Sequence, residues 1–277
     1  MNASREKRVF EAADAAYKNR RLRFTSNQNP SPEPRQRALD SSPKPQTAFS
    51  PQPKKESYLP SYQRARDRGK KTLVLDLDET LVHSSMEPVK HADIEMEMMW
   101  ENKLCHVSVL VRPGALDFLE RMTKIFEVVI FTASVSNYAN PLIDGNLDPN
   151  HYGFFKLYRE HCTYKQNVYV KDLSRLGRDM KDVIIVDNLP HSYRLQPANG
   201  VPISSWYDDK SDRELFSLGS FLENLSKVDD VRPFISKIVQ NDKVNFKTAH
   251  AIFAIDEEEN KDTEMSSMPS CDYSTSP

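Results

Sequence analysis

Two aspartates at positions i and i+2 follow an apolar run, and their spacing is typical of a phosphoryl-transfer site. Asp76 and Asp78 close the stretch Leu73–Asp78, which indicates a strand buried on both faces. Residues two apart on a strand face the same side of the sheet. Two carboxylates held this closely repel each other unless a cation lies between them or one of them takes up a proton. The pattern therefore predicts a magnesium-dependent phosphoryl-transfer site at this strand end.

The two carboxylates suit two different roles in phosphate hydrolysis. Asp76 is the candidate nucleophile, because a carboxylate can attack phosphorus and form an aspartyl phosphate. Asp78 is the candidate general acid and base, which protonates the leaving alkoxide and later deprotonates the attacking water. One difficult displacement would thereby become two easier ones.

Residues that fit the remaining roles lie further along the chain. Thr132, at the end of a second apolar run, offers a hydroxyl to a phosphoryl oxygen, and Lys171 offers a compact positive charge. Asp187 and Asn188, at the end of a third run, offer oxygen ligands for Mg²⁺. Each residue alone also fits a turn or a solvated surface position. Their occurrence in order, at three strand ends, favours catalysis.

Strands that alternate with amphipathic helices predict an α/β fold with a doubly wound, mostly parallel sheet. The predicted strands are Leu73–Asp78, Val128–Thr132 and Val183–Asp187, and the predicted helices are Gly114–Ile125 and Ser211–Leu225. Ligands bind beyond the carboxyl ends of the strands in such sheets. Alternating apolar residues over Ile94–Trp100 and Val107–Val111 predict a small β insertion beside the sheet.

The segment between the first two predicted strands leaves little room for a large cap domain. Only 53 residues separate Asp78 from Thr132, and the predicted hairpin and helix use most of them. An uncapped site cannot fully enclose a small metabolite. We therefore expect the phosphate to be displayed on a protein segment.

Composition divides the chain into three regions. Residues 1–67 are basic and rich in proline and serine, which predicts disorder. Residues 68–240 are the predicted catalytic domain. Residues 241–277 are a C-terminal extension that is acidic and predicted to be disordered from residue 256. The first 71 residues hold 17 Lys+Arg against 7 Asp+Glu, whereas the remaining 206 hold 21 against 33. The basic region is thus a candidate contact for nucleic acid or another polyanion, although a solvated spacer explains it equally well.

Other classes of protein are excluded or disfavoured. Cys105, Cys162 and Cys271 form no CxxC pair, which argues against a zinc knuckle or a disulfide framework. Neither Cys105 nor Cys162 has an arginine six positions later, as a cysteine-dependent phosphatase requires, and no P-loop string is present. No apolar run approaches the roughly 18 residues of a transmembrane segment, and the N-terminus lacks the apolar core of a secretory signal. We expect an intracellular protein.

The motifs together resemble those of the haloacid dehalogenase superfamily, and within it the small phosphatases that act on the C-terminal domain of RNA polymerase II. The resemblance covers roughly residues 70–240 and depends on these strings: Asp76–Ser85, Val111–Gly114, Phe131–Ser134, Tyr169–Asp179, Asp187–Pro190, Ser205–Asp209 and Asp212–Leu215. It implies a haloacid dehalogenase-like, Rossmannoid fold. It also implies a Mg²⁺-dependent protein serine/threonine phosphatase that acts on phosphoserine or phosphothreonine, often next to proline.

The same resemblance implies roles for individual residues. Asp76 would be phosphorylated, Asp78 would be the general acid and base, and Thr132 and Lys171 would contact the phosphate. Mg²⁺ would be held by the Asp76 carboxylate, the Asp78 backbone carbonyl and Asn188, with Asp187 close by. An apolar substrate pocket is implied at Met86, Met98, Trp100, Val135 and Tyr138. For Met98 and Trp100, packing within the hairpin is an equally good explanation.

One departure from the family pattern, and two alternative functions, stay open. Leu189 occupies a position where the family commonly has serine, and we expect it to tune the loop and leave the chemistry intact. The first alternative is a catalytically silent module that binds phosphoproteins. The second is a small-molecule phosphatase of the same superfamily. The basic clusters and the implied substrate class are compatible with either a nuclear or a cytoplasmic location.

Overall fold

The structure is a computed structural model that describes residues 57–100, 102–240 and 243–244. In chain order its strands are β1 (Thr72–Leu75), β2 (Val82–Ser85), β3 (Ile94–Trp100), β4 (Lys103–Val111), β5 (Glu127–Phe131), β6 (Phe155–Leu157), β7 (Thr163–Lys165), β8 (Val168–Val170), β9 (Val183–Asp187), β10 (Gly200–Pro202), β11 (Val239–Gln240) and β12 (Lys243–Val244). The α-helices are α1 (Ala115–Ile125), α2 (Ser136–Leu142), α3 (Glu214–Leu225) and α4 (Val231–Ile238).

Five parallel strands form the central sheet, in the spatial order β10, β9, β1, β5, β6. The first strand lies in the middle and later strands add on both sides, which is the arrangement of a doubly wound sheet. Every residue of β1, β5 and β9 is buried, as expected for parallel strands covered on both faces. The predicted fold class is confirmed.

The strand that leads to the aspartates ends earlier than predicted. β1 stops at Leu75, because the Leu77 carbonyl accepts the backbone N–H of Leu81 at 2.9 Å and turns the chain. Glu79 takes a left-handed conformation in this turn, with φ of 56°. The prediction of a strand through Asp78 was therefore wrong at its carboxyl end, and the Asp76–Asp78 segment lies in the turn beyond the sheet. Strand β9 has its predicted bounds.

A three-stranded antiparallel sheet, in the order β2, β4, β3, forms the predicted β insertion. The hairpin prediction is confirmed, and β2 adds a third strand to it. Apart from residue 101, which is not described, this sheet and helix α1 account for the folded elements between β1 and β5. In the described part of the chain, no separate cap domain lies in that segment.

Helices α1 and α3 pack against each other and flank the sheet. Helix α1 begins one residue after its predicted start, because Gly114 has a φ of 79°. A side chain at Gly114 would also meet the ring of Phe216 at 2.8 Å. Helix α3 begins at Glu214, later than the predicted Ser211, with Arg213 as its N-cap residue. The Asp212 carboxylate, just before the helix, accepts the backbone N–H of Glu214 at 3.2 Å.

The described chain extends upstream of residue 68. Leu59 is buried in the core, and the Tyr58 N–H donates to the Arg175 carbonyl at 2.7 Å. Residues 1–56 and 245–277, including Cys271, lie outside the described residues, so the predictions made for both ends of the chain stay predictions. Among the residues that are described, no helix is both long and apolar enough to cross a membrane.

Candidate active site

A buried lysine lies between two buried carboxylates at the carboxyl edge of the sheet. Lys171 Nζ lies 2.5 Å from Asp76 Oδ1 and 2.6 Å from Asp187 Oδ2. The three residues are at most 7% exposed. Asp76 follows β1 and Asp187 ends the neighbouring parallel strand β9, so their convergence follows from strand pairing. The cluster carries one positive charge against two negative charges when all three groups are ionised.

The shared lysine affects the pKa of the nucleophile candidate. Burial and the negative charge of Asp187 raise the pKa of Asp76 to about 8, although Lys171 acts in the opposite direction. Burial by itself would lower the pKa of Lys171, but the two carboxylates outweigh burial and raise it above its usual value. Lys171 therefore stays charged at neutral pH. A bound cation would favour the ionised form of Asp76.

The oxygen atoms around Asp76 fit the needs of Mg²⁺. The Thr80 hydroxyl lies 3.3 Å from Asp76 Oδ2 and 3.4 Å from Asn188 Oδ1, so both oxygens face the same region. Asn188 Nδ2 donates to Ser205 Oγ at 2.8 Å, which leaves the amide oxygen directed towards Thr80. Mg²⁺ prefers a few protein oxygens completed by phosphate and water. The predicted ligands Asp76 and Asn188 are thus suitably placed.

The Asp187 carboxylate accepts three hydrogen bonds from protein donors. Its Oδ2 accepts from Lys171 and from Ser192 Oγ, the latter at 2.6 Å, and its Oδ1 accepts the Leu189 N–H at 2.8 Å. These contacts favour a role for Asp187 in holding the lysine. Sequence reasoning did not identify Ser192. The signal that could have found it is its position five residues after Asp187. Leu189 is 45% exposed, and it contacts this network through its backbone N–H.

Three hydroxyl groups hold the carboxylate of Asp78. Thr132 Oγ1 and Ser134 Oγ donate to Asp78 Oδ2 at 3.0 and 2.8 Å, and Tyr138 OH donates to Oδ1 at 2.9 Å. Tyr138 OH also pairs with the hydroxyl of Ser84. Thr132, predicted as a phosphate contact, lies directly beside the general acid candidate. Ser134 and Ser84 were missed by sequence reasoning, although both stand within strings that resemble the family.

The five predicted pocket residues differ in their surroundings. Met98 and Tyr138 are buried in the larger core cluster, and Trp100 and Val135 pack against it while partly exposed. Met86 is half-buried, next to β2. Tyr138 directs its hydroxyl towards Asp78, so it contributes a polar contact as well as apolar surface. Tyr138 is the pocket candidate that contacts a catalytic candidate by a hydrogen bond.

The nearby thiol Cys162 is not suited to nucleophilic attack. Burial is the main cause that raises the pKa of Cys162 to about 12. Its sulfur lies 3.9 Å from the Thr132 carbonyl and 3.8 Å from the Tyr158 carbonyl. Cys105 and Cys162 are both free thiols in the described chain. The exclusion of a cysteine-dependent mechanism therefore agrees with the structure.

The mostly parallel sheet, with acids, a lysine and hydroxyls at its carboxyl edge, agrees with the haloacid dehalogenase-like phosphatase domain that the motifs indicate. The chain belongs to the NLI interacting factor-like phosphatase family, whose sequence model matches residues 71–232, more than half of the chain. This family match confirms the resemblance seen in the motifs.

Curated relatives agree with the family assignment. The chain is 52% identical over 167 residues to a probable C-terminal domain small phosphatase of Dictyostelium discoideum, covering 60% of this chain and 54% of that protein. It is 48% identical over 174 residues to a human CTD small phosphatase-like protein, covering 62% of each chain. It is 49% identical over 176 residues to human carboxy-terminal domain RNA polymerase II polypeptide A small phosphatase 1, covering 63% of this chain and 66% of that protein. The matches span less than two thirds of these relatives.

Proposed function

We propose that this chain is a Mg²⁺-dependent protein serine/threonine phosphatase that acts through an aspartyl phosphate. The observation that carries the proposal is the different environment of the two aspartates. Asp76 pairs with a buried lysine at 2.5 Å, whereas Asp78 is held by three neutral hydroxyl donors. One carboxylate is thus placed next to positive charge, where phosphate would bind. The other is placed to exchange protons.

The chain's own residues would carry out hydrolysis in two steps. Asp76 attacks phosphorus while Lys171 neutralises a phosphoryl oxygen, and the bond from phosphorus to the seryl or threonyl oxygen breaks. Asp78 gives its proton to that leaving oxygen. Asp78 then takes a proton from water, whose oxygen attacks the phosphoryl group and releases inorganic phosphate and free Asp76. Mg²⁺ held by Asp76, the Asp78 carbonyl and Asn188 would supply further charge neutralisation.

Two observations support a protein substrate. The described segment between β1 and β5 contains no separate cap domain, so the site stays open to a phosphorylated polypeptide. One relative is named as a carboxy-terminal domain RNA polymerase II polypeptide A small phosphatase, and another as a probable C-terminal domain small phosphatase. We infer phosphoserine or phosphothreonine next to proline as the substrate, such as the C-terminal domain of RNA polymerase II. Met98, Trp100, Val135 and Tyr138, together with Met86, are the proposed apolar contacts for residues that flank the phosphate.

A change of the nucleophile tests the proposal. Wild-type protein should hydrolyse para-nitrophenyl phosphate with Mg²⁺ and lose this activity with EDTA, whereas Asp76→Asn should lose about 10⁴-fold or more in turnover. Asp182→Asn is a matched control, because its carboxylate pairs with Lys71 at 2.8 Å at the opposite edge of the sheet. It should retain wild-type turnover.

Circular dichroism should show that the Asp76→Asn protein is folded. Substantial residual turnover in folded Asp76→Asn would show that Asp76 is not the nucleophile. A wild-type protein that binds phosphopeptides without hydrolysing either them or para-nitrophenyl phosphate would instead favour the silent binding module. A preference for sugar phosphates over phosphopeptides would favour the small-molecule phosphatase.

A further inference from the structure

Arg112, in the Val-Arg-Pro-Gly string, is a buried cation that the proposed reaction does not use. Only 1% of this residue is exposed. A guanidinium group has five N–H donors, and five hydrogen bonds are made here. Nε and Nη2 donate to the Asp212 carboxylate at 2.9 Å each, and Nη2 donates to Glu214 Oε2 at 3.0 Å. Nη1 donates to the backbone carbonyls of Thr80 and Ser204 at 3.1 Å each.

The two backbone contacts of Arg112 hold the segments that position the proposed magnesium ligands. Thr80, which Arg112 contacts through its carbonyl, places its hydroxyl 3.3 Å from Asp76 Oδ2 and 3.4 Å from Asn188 Oδ1. Ser204 is the residue before Ser205, which accepts the Asn188 side-chain N–H at 2.8 Å. One guanidinium therefore fixes both the turn that follows Asp76 and the loop that orients Asn188.

The acidic partners of Arg112 also hold these segments in place. Glu214 accepts from Arg112 and also from the Ser204 N–H, at 3.2 Å from Oε2. Asp212 accepts from Arg112 and also from the Glu214 N–H at the start of helix α3. Replacing a buried ionic network by apolar packing is often neutral or stabilising, so stability by itself is a weak reason for such a network. The planar Arg112 guanidinium, with all of its donors in hydrogen bonds, is better suited to fixing distances between loops.

We propose that Arg112 is a positioning residue for the divalent cation: it sets the separation of the Asp76 and Asn188 oxygens without touching substrate or metal. The inference rests on the proposed function, because it concerns the magnesium site of that same reaction. Arg112 itself takes no part in the proposed reaction steps. The affected quantity is the affinity for the metal, which can be measured without catalysis.

The test compares two arginine-to-lysine variants in metal-depleted protein. Arg178 is the matched control, since its guanidinium forms a bidentate ion pair with buried Glu127, at 2.7 and 2.8 Å. Glu127 begins β5, whereas the candidate active site lies beyond the other end of that strand. Mn²⁺ binding followed by electron paramagnetic resonance, and Mg²⁺ binding by calorimetry, give dissociation constants. Arg112→Lys should weaken both by about 10- to 100-fold, the usual effect of losing an outer contact to a metal ligand. Arg178→Lys should leave them unchanged, although both variants should have lower thermal midpoints.

Two results would overturn the inference. One is a folded Arg112→Lys protein with wild-type metal affinity, and the other is an equal loss of affinity in Arg178→Lys. If Arg112→Lys does not fold, Ser205→Ala decides, because Ser205 is exposed and its loss frees the Asn188 amide. Wild-type affinity in Ser205→Ala would then refute the positioning argument. If the wild-type protein itself neither binds Mg²⁺ nor hydrolyses para-nitrophenyl phosphate, the proposed function fails, which is a separate outcome.

Discussion

Replacing Asp78 by asparagine should separate proton transfer from phosphoryl transfer. Asp78 Oδ2 accepts from Thr132 and Ser134, and an asparagine oxygen can accept the same two bonds. The asparagine N–H₂ would face Tyr138 OH, which can accept it and donate to Ser84 instead. Every polar group keeps a partner, so the variant should stay within about 2 kcal/mol of wild-type stability. What it loses is the titratable proton.

The magnitude of the catalytic loss should depend on the leaving group. A positioned general acid typically contributes about 10²- to 10⁴-fold, or about 3–5 kcal/mol. Serine alkoxide is a strong base and needs this proton, whereas para-nitrophenolate is a weak base and leaves without it. With Asp78→Asn, the first step should therefore slow by about that factor for a phosphoserine-proline peptide and much less for para-nitrophenyl phosphate.

Rapid-mixing kinetics can resolve the two steps. Because Asp78 is also the proposed base that activates water in the second step, Asp78→Asn should release about one equivalent of nitrophenol per site in a burst and then turn over slowly. The same protein should give no burst with the phosphopeptide. The control variant Asp182→Asn should behave like wild type with both substrates. An equal loss in the first step for both substrates would refute Asp78 as the acid, and an unfolded variant would refute the hydrogen-bond argument.

Three further predictions concern the pocket, the loop and stability. Trp100→Ala should raise KM for a phosphoserine-proline peptide about tenfold, about 1.4 kcal/mol, with little change in KM for para-nitrophenyl phosphate. Equal effects on both substrates would show that Trp100 does not contact the peptide. Leu189→Ser should leave kcat for para-nitrophenyl phosphate within about twofold, since the Leu189 N–H and not its side chain contacts Asp187; a larger change in kcat would show that the side chain matters. Glu127→Gln should lower the free energy of unfolding by about 3 kcal/mol at pH 7. Burial alone would raise the pKa of Glu127, but Arg178 and Thr72 hold this pKa below its usual value. The stabilisation is therefore fully present at a pH above the usual pKa of a glutamate. It is lost as the pH falls through the lowered pKa of Glu127 in the folded protein. Urea titrations at pH 7 and pH 3 should show the difference between wild type and Glu127→Gln shrinking, and a constant difference would contradict the argument.

Much of the candidate active site could be predicted, because the burial of its strands depends on local sequence. Continuous apolar runs must be buried on both faces, which makes them parallel strands, and the carboxyl ends of parallel strands share one edge of the sheet. Asp76, Thr132 and Asp187 follow or end such runs, so their convergence needed no knowledge of distant contacts. In the structure Lys171 contacts both Asp76 and Asp187, whereas Thr132 contacts Asp78.

The exact end of the first strand was not predictable in this way. Apolar character continues to Leu77, which is fully buried, although β1 ends at Leu75. Burial and strand pairing are different requirements, and only the first appears as a hydrophobic pattern. The backbone hydrogen bonds to the Leu77 carbonyl decide where the turn begins.

By itself, the sequence predicted the sheet, the edge that carries the candidate site and the residues that follow the strands, because burial and strand polarity depend on nearby residue types. Tertiary structure alone decided the partners of those residues. The donors to Asp78 lie 54 to 60 positions away, and the acids that hold Arg112 lie 100 and 102 positions away. A hydrogen bond requires its two atoms to lie within about 3 Å, and the packing of the whole domain sets that distance between residues so far apart in the chain.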